Sequence, residues 1–179
     1  MIFNIKNKNK ENLRLLSESS AGFIFLEVII AVALVSIVFV TLLGIGFLSL
    51  NISALLQQES QADSLVKEEL EAIRAFRDET VDSWDTTGLG SLDTGVAYHL
   101  AKSGDPLAWS VETGSETIGI FTRQVVFDSV LRDSNNNIVE SGGTDDPDTK
   151  KVTVTVAWLA GAATTTTQMS TYITNLFGN

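Results

Sequence analysis

Residues 21–50 read AGFIFLEVIIAVALVSIVFVTLLGIGFLSL, and from Phe23 to Leu50 the only charged side chain is Glu27. About 20 apolar residues cross a bilayer as a helix, and a secretory signal holds only roughly 7–15, so this stretch has the length of a membrane helix. Ahead of it Lys6, Lys8, Lys10 and Arg14 outnumber Glu11 and Glu18. A net-positive flank stays on the cytoplasmic side, which predicts N-terminus in and everything from Asn51 onward outside. Within such a helix a carboxylate costs on the order of 2.5–3.5 kcal/mol on insertion scales. Glu27 therefore lies close to the headgroups, is protonated, or has a partner that repays its burial.

The remaining composition removes whole classes of function. Across 179 residues, 12 Lys and Arg stand against 22 Asp and Glu, a net charge of −10. Phosphate contacts need clustered Lys and Arg, so direct nucleic-acid binding is not expected. With no cysteine there is no disulfide, thiol nucleophile or Cys-ligated metal, and His99 is the lone histidine. There is no Gly-x-Ser-x-Gly and no phosphate-cradling loop, and His99 reads as an ordinary strand residue. The chain is not expected to be an enzyme.

The basic leader, Gly22, Phe23 and Glu27 in one long apolar segment together resemble the class III signal of type IV prepilins. In that pattern a glycine precedes the cut, an aromatic follows it, and a glutamate lies four residues beyond. The resemblance covers roughly the first third of the chain and is closest to minor pilins and pseudopilins. It implies cleavage between Gly22 and Phe23 by a membrane prepilin peptidase, then N-methylation of Phe23. It further implies assembly with other pilin or pseudopilin subunits, over an inner-membrane assembly platform, into a type IV pilus or a type II secretion or competence filament. The expected location is a single-pass membrane protein first, then a filament at the cell surface or in the periplasm. If subunits stack about one helical turn apart, near 5–6 Å, the freed amine of one can neutralise Glu27 of its neighbour, where an unpaired charge would be costly. The alternative is a membrane-tethered extracytoplasmic binding module that never enters a filament. Gly44 and Gly46 weaken the apolar helix by about 1 kcal/mol each. They are either small-residue packing positions or a point of local unwinding.

Beyond Leu50 the pattern turns amphipathic. Ile52, Leu55, Leu56, Ala62, Leu65, Val66, Leu70, Ile73 and Phe76 recur at helical spacing, with Glu59, Asp63, Lys67, Glu68, Glu71, Arg74 and Asp78 on the other face. Asp63 with Lys67 and Arg74 with Asp78 are expected as solvated pairs four residues apart. A helix from Phe23 to Asp78 would reach about 84 Å at about 1.5 Å per residue. Asp82, Asp85, Gly88, Gly90, Asp93 and Gly95 make a turn-rich connector with Trp84 as its apolar anchor. Period-two patterning then marks strands at Val96–Leu100, Leu107–Val111, Phe121–Leu131 and Val152–Trp158. A Thr-rich strand, Thr164–Ile173, is expected to pair with the last of these across Ala160-Gly161.

The predicted fold is α+β: a long N-terminal helix, membrane-spanning in its first half and amphipathic in its second, packed on an antiparallel sheet of about four strands. Its divisions are a leader at 1–22, a membrane or filament-core helix at 23–50, an amphipathic helix at 51–78 and an extracytoplasmic head at 79–179. Within the head, Asp133, Asn135 and Asn137, followed by Asp145, Asp146 and Asp148, offer hard oxygen donors of the kind calcium takes. The sixth and twelfth positions of an EF-hand loop would fall on Ile138 and Thr144, which excludes that motif. A turn in which Asn and Asp tolerate unusual backbone angles accounts for the same residues, and no other cofactor is expected.

Overall fold

The computed structural model describes residues 3–80, 83–104 and 107–175, with side chains from Gly22 onward. The leader's charged side chains, from Lys6 to Glu18, and Asp82 of the connector lie outside the described residues. Helix α1 (Phe3–Glu79) continues without a break through Gly44 and Gly46. A 3₁₀ turn at Leu89–Ser91 precedes seven strands: β1 (Ala97–Ser103), β2 (Ala108–Thr113), β3 (Glu116–Ile118), β4 (Phe121–Arg132), β5 (Ile138–Val139), β6 (Thr144–Ala160) and β7 (Ala163–Thr174). The chain divides into two compact units, Met1–Ala54 and Leu55–Asn179.

In the first unit the described part is helix alone, and its apolar side chains are exposed on every side. In the second unit α1 buries one stripe, Ala62, Val66, Leu70, Ile73 and Phe76, while Lys67, Glu71 and Arg74 remain outside. Leu55 and Leu56, expected in that stripe, are exposed, as is Ile52 of the first unit. The buried face begins only at Ala62. The expected surface pairs also change partners. Arg74 contacts Glu71 and Asp78 contacts Arg77, while Asp63 accepts the Thr167 hydroxyl at 2.9 Å. Where a fixed sheet hydroxyl is in reach, a pair worth only a few tenths of a kcal/mol gives way to it.

All strand pairs are antiparallel, in the order β2-β1-β4-β6-β7, with β3 and β5 also pairing β4. Period-two alternation sends Phe121, Val125 and Phe127 of β4 and Val152, Val154, Val156 and Trp158 of β6 into one core with the helix stripe. The register sets Val125 opposite Val154 and Phe127 opposite Val152, and it brings Phe121 onto Trp158 with ring centroids 5.8 Å apart. Trp84 anchors the connector as expected. It is buried, its Nε1 donates to the Pro147 carbonyl at 3.1 Å, and a Cβ on Gly90 would lie 2.6 Å from its indole.

The sheet has seven strands, the five that patterning marks plus β3 and β5, which are too short to carry a visible alternation. β6 also begins earlier. Asp145, Asp146 and Asp148, read as loop residues, belong to this strand. Pairing with β4 passes from Ser129↔Lys150 to Val130↔Asp146, an irregularity that contains Pro147. A bulge is the one place inside a sheet where proline's missing N–H is tolerated. β6 and β7 meet at a tight turn where Gly161 has φ 70°, a value that favours glycine.

Candidate functional site

Two groups of residues carry the sequence's functional expectations. The first lies on α1. From Phe23 to Leu50 every large apolar side chain is exposed, from 49% at Ile29 to 76% at Phe23, so no face of this segment is covered by the chain itself. A soluble surface helix covers one side, whereas a helix apolar all round belongs in lipid or between other helices. Two of its three hydroxyls are satisfied within the helix. Ser36 donates to the Val32 carbonyl at 2.7 Å and Thr41 to the Val38 carbonyl at 2.8 Å, the internal bonding that lets hydroxyls sit in hydrocarbon. Glu27 differs, since among the described residues it has no hydrogen-bond or ion-pair partner. A Cβ on Gly22 would meet nothing within 4 Å. The helix from Gly22 to Glu79 is long and apolar enough to cross a membrane.

The second group is the acidic turn between β4 and β5 together with the start of β6. Asp133 folds the turn around itself. Its Oδ1 accepts the backbone N–H of Asn135 at 2.9 Å and of Asn137 at 2.8 Å, and its Oδ2 accepts the Asn137 amide at 3.1 Å. Asn136 between them has φ 67°, which Asn tolerates better than most residues. Asn137's two hydrogen bonds hold the Asp133 carboxyl below the usual carboxylate range. For Asp146, burial pulls the pKa upward, but hydrogen bonds from Arg132, Thr149 and the Asp148 N–H outweigh it, and the net direction is down. Arg132 Nε approaches Asp146 Oδ2 at 2.5 Å, and Asp148 accepts the Asn175 amide at 3.2 Å.

Asp133, Asp145 and Asp146 do line one open depression, together with Arg132. Asn135, Asn137 and Asp148 stand outside its lining. Among the described residues no three His, Asp or Glu side chains converge as metal ligands. A cation here would have to displace Arg132 and the turn's own donors.

Sequence reasoning passed over a third feature, a buried charge cluster between α1 and the sheet. Glu69 has no exposed surface and Arg123 is 5% exposed. Arg123 Nε lies 3.1 Å from Glu69 Oε2 as a charge contact, and its Nη2 donates to Glu116 at 2.7 Å. Arg123 Nη1 also reaches the Leu65 carbonyl at 3.4 Å. Glu69 Oε1 accepts the Leu100 N–H at 2.8 Å. The need for this bond lies in the sheet: β1 pairs β4 only at Ala97 and Tyr98, and β3 takes over beside Phe121–Arg123. Glu69 caps the strand that departs. Burial pushes its carboxyl above the ordinary range despite Arg123 and the Leu100 N–H, which act in the opposite sense. The sequence signal was available, because Ala62, Val66, Glu69, Ile73 and Phe76 step by four and three along one helix face, and Arg123 sits at an inward position of β4.

The chain matches no protein-family model, and no curated protein or solved structure is significantly similar to it. Its architecture is nonetheless pilin-like: a long N-terminal helix, apolar in its first part, whose second part packs on an antiparallel sheet.

Proposed function

We propose that this protein is a structural subunit, of the minor pilin or pseudopilin kind, of a type IV pilus or a related secretion or competence filament. In this reading prepilin peptidase cuts after Gly22 and methylates the amine of Phe23. The mature helix then leaves the bilayer for a filament core, with Glu27 neutralised by a neighbour's N-terminal amine. The observation that carries it is the Phe23–Leu50 segment, apolar and uncovered on all sides, with Ser36 and Thr41 bonded to its own carbonyls and one carboxylate left over. A bilayer alone would accept the apolar surface but leave that carboxylate an expense of a few kcal/mol. A stack of identical helices supplies one amine for each acid.

N-terminal sequencing and intact mass of the protein extracted from cells that contain the peptidase test the proposal. The expected product begins at Phe23 and carries one methyl group. Retention of Met1 through Gly22 would overturn it and leave a membrane-tethered head that binds partners without assembling.

A further inference from the structure

β7 is an edge strand of twelve residues, Ala163–Thr174, and among the described residues β6 is its one strand partner. A free edge is a row of unpaired N–H and C=O groups, and proteins normally blunt it with Lys, Pro, a bulge or brevity. β7 uses none of these. It contains no charged residue, no proline and no glycine, and its register with β6 runs without a shift from Thr149↔Thr174 to Ala160↔Ala163. The opposite edge, β2, has only six residues and carries Glu112.

We infer that β7 is a docking edge for β7 of a second copy, the two running antiparallel about a two-fold axis near Gln168 and Met169. Charge selects this occupant. The chain is strongly acidic, so two copies repel wherever carboxylates face one another, and β7 itself carries none; the one carboxylate it touches among the described residues, Asp63, accepts the Thr167 hydroxyl. The side chains suit self-pairing as well. Thr164, Thr165, Thr166 and Gln168 are exposed and uncharged, and a two-fold at Gln168 sets Thr165 opposite Thr171 and Thr166 opposite Ser170, the Thr–Thr and Thr–Ser cross-strand pairs that stabilise antiparallel sheets. An isologous contact of this kind closes after two copies. It links heads in pairs and is independent of how the N-terminal helices associate.

The absence of cysteine makes the test direct. Single-cysteine variants of the full chain in detergent, mildly oxidised, should give a disulfide dimer with Gln168→Cys or Met169→Cys. Thr164→Cys should give none, because copies of that residue would lie roughly 27 Å apart. Adding Thr166→Lys and Ser170→Lys to the productive variant should abolish the dimer while circular dichroism keeps the sheet signal. Equal crosslinking at 164 and 168 would mean association through the helices alone. That result, or no dimer at either central position, would overturn the inference.

Discussion

Replacing Arg123 by alanine should be among the most damaging single changes in the head, and its cost should depend on pH in a defined sense. Removing Arg123 leaves Glu69 fully buried without its counter-charge, a loss of about 3–5 kcal/mol at neutral pH. Because burial already pushes the Glu69 carboxyl upward, protonation offers relief, so the cost should shrink in mild acid. Glu69→Gln behaves differently. A raised folded-state pKa means that the native environment, Arg123 included, disfavours the carboxylate relative to the unfolded chain. As pH climbs from below the ordinary glutamate range toward the folded value, the unfolded chain gives up this proton first and the head loses stability. The amide keeps an acceptor for the Leu100 N–H, and Arg123 keeps Glu116. Glu69→Gln should therefore match or exceed the parent at neutral pH and lack that alkaline-side loss. Combining it with Arg123→Ala should recover much of the single-variant loss. Urea unfolding of the full chain in detergent, followed by near-ultraviolet dichroism of Trp84, Trp109 and Trp158, measures all three. An Arg123→Ala cost below about 1 kcal/mol, or a Glu69→Gln cost equal to it at every pH, would refute the reasoning.

Glu27→Ala should insert and fold with normal near-ultraviolet dichroism yet be absent from sheared filaments, and its normal incorporation would exclude the amine pairing. Gly90→Ala, whose Cβ would lie 2.6 Å from the Trp84 indole, should cost about 1–3 kcal/mol in the same unfolding assay. Asp133 and Asp146, both held below their ordinary range, contribute stability that is present above that range and lost as pH falls through their folded values. Asp146→Asn should flatten this acid-side decline in a pH series of melting temperatures. Millimolar calcium should leave the melting temperature unchanged, given the commitment of Asp133 to its turn and of Asp146 to Arg132. A rise that disappears in Asp133→Asn would establish a cation site that reorganises this turn.

What the sequence makes visible follows from periodicity. The unbroken apolar run of α1, its later stripe at Val66, Leu70, Ile73 and Phe76, and the alternations of β4 and β6 are long enough for repeat spacing to identify them. β3 and β5, with three and two residues, are too short for a period and occupy stretches of the β4 edge that β1, paired only opposite Val125 and Val126, leaves open. Asp145–Asp148 read as a turn by residue type, yet pairing with Val130–Arg132 draws them into β6. Tertiary pairing there overrides local preference. Glu69 escapes because its class says surface and only its phase on the helix says core. The reading of Gly22, Phe23 and Glu27 is of the opposite kind, since it rests on linear spacing and not on the fold.

The way α1 is covered also fixes when the head can fold. The stripe from Ala62 to Phe76 leaves the ribosome before any strand, yet its covering residues are Val125, Phe127 and Val152 through Trp158. Arg123 reaches Leu65 across 58 residues, and Thr167 reaches Asp63 across 104. Such high contact order means that loop closure precedes its reward, so folding is slow and comes late. A chain secured early by its N-terminal segment would hold an uncovered apolar stripe until its last strands arrive, a period in which a chaperone would find its natural client. Truncation before β6 would strip Val152 through Trp158 from that cover, which makes the C-terminal third a checkpoint for the quality of the whole head.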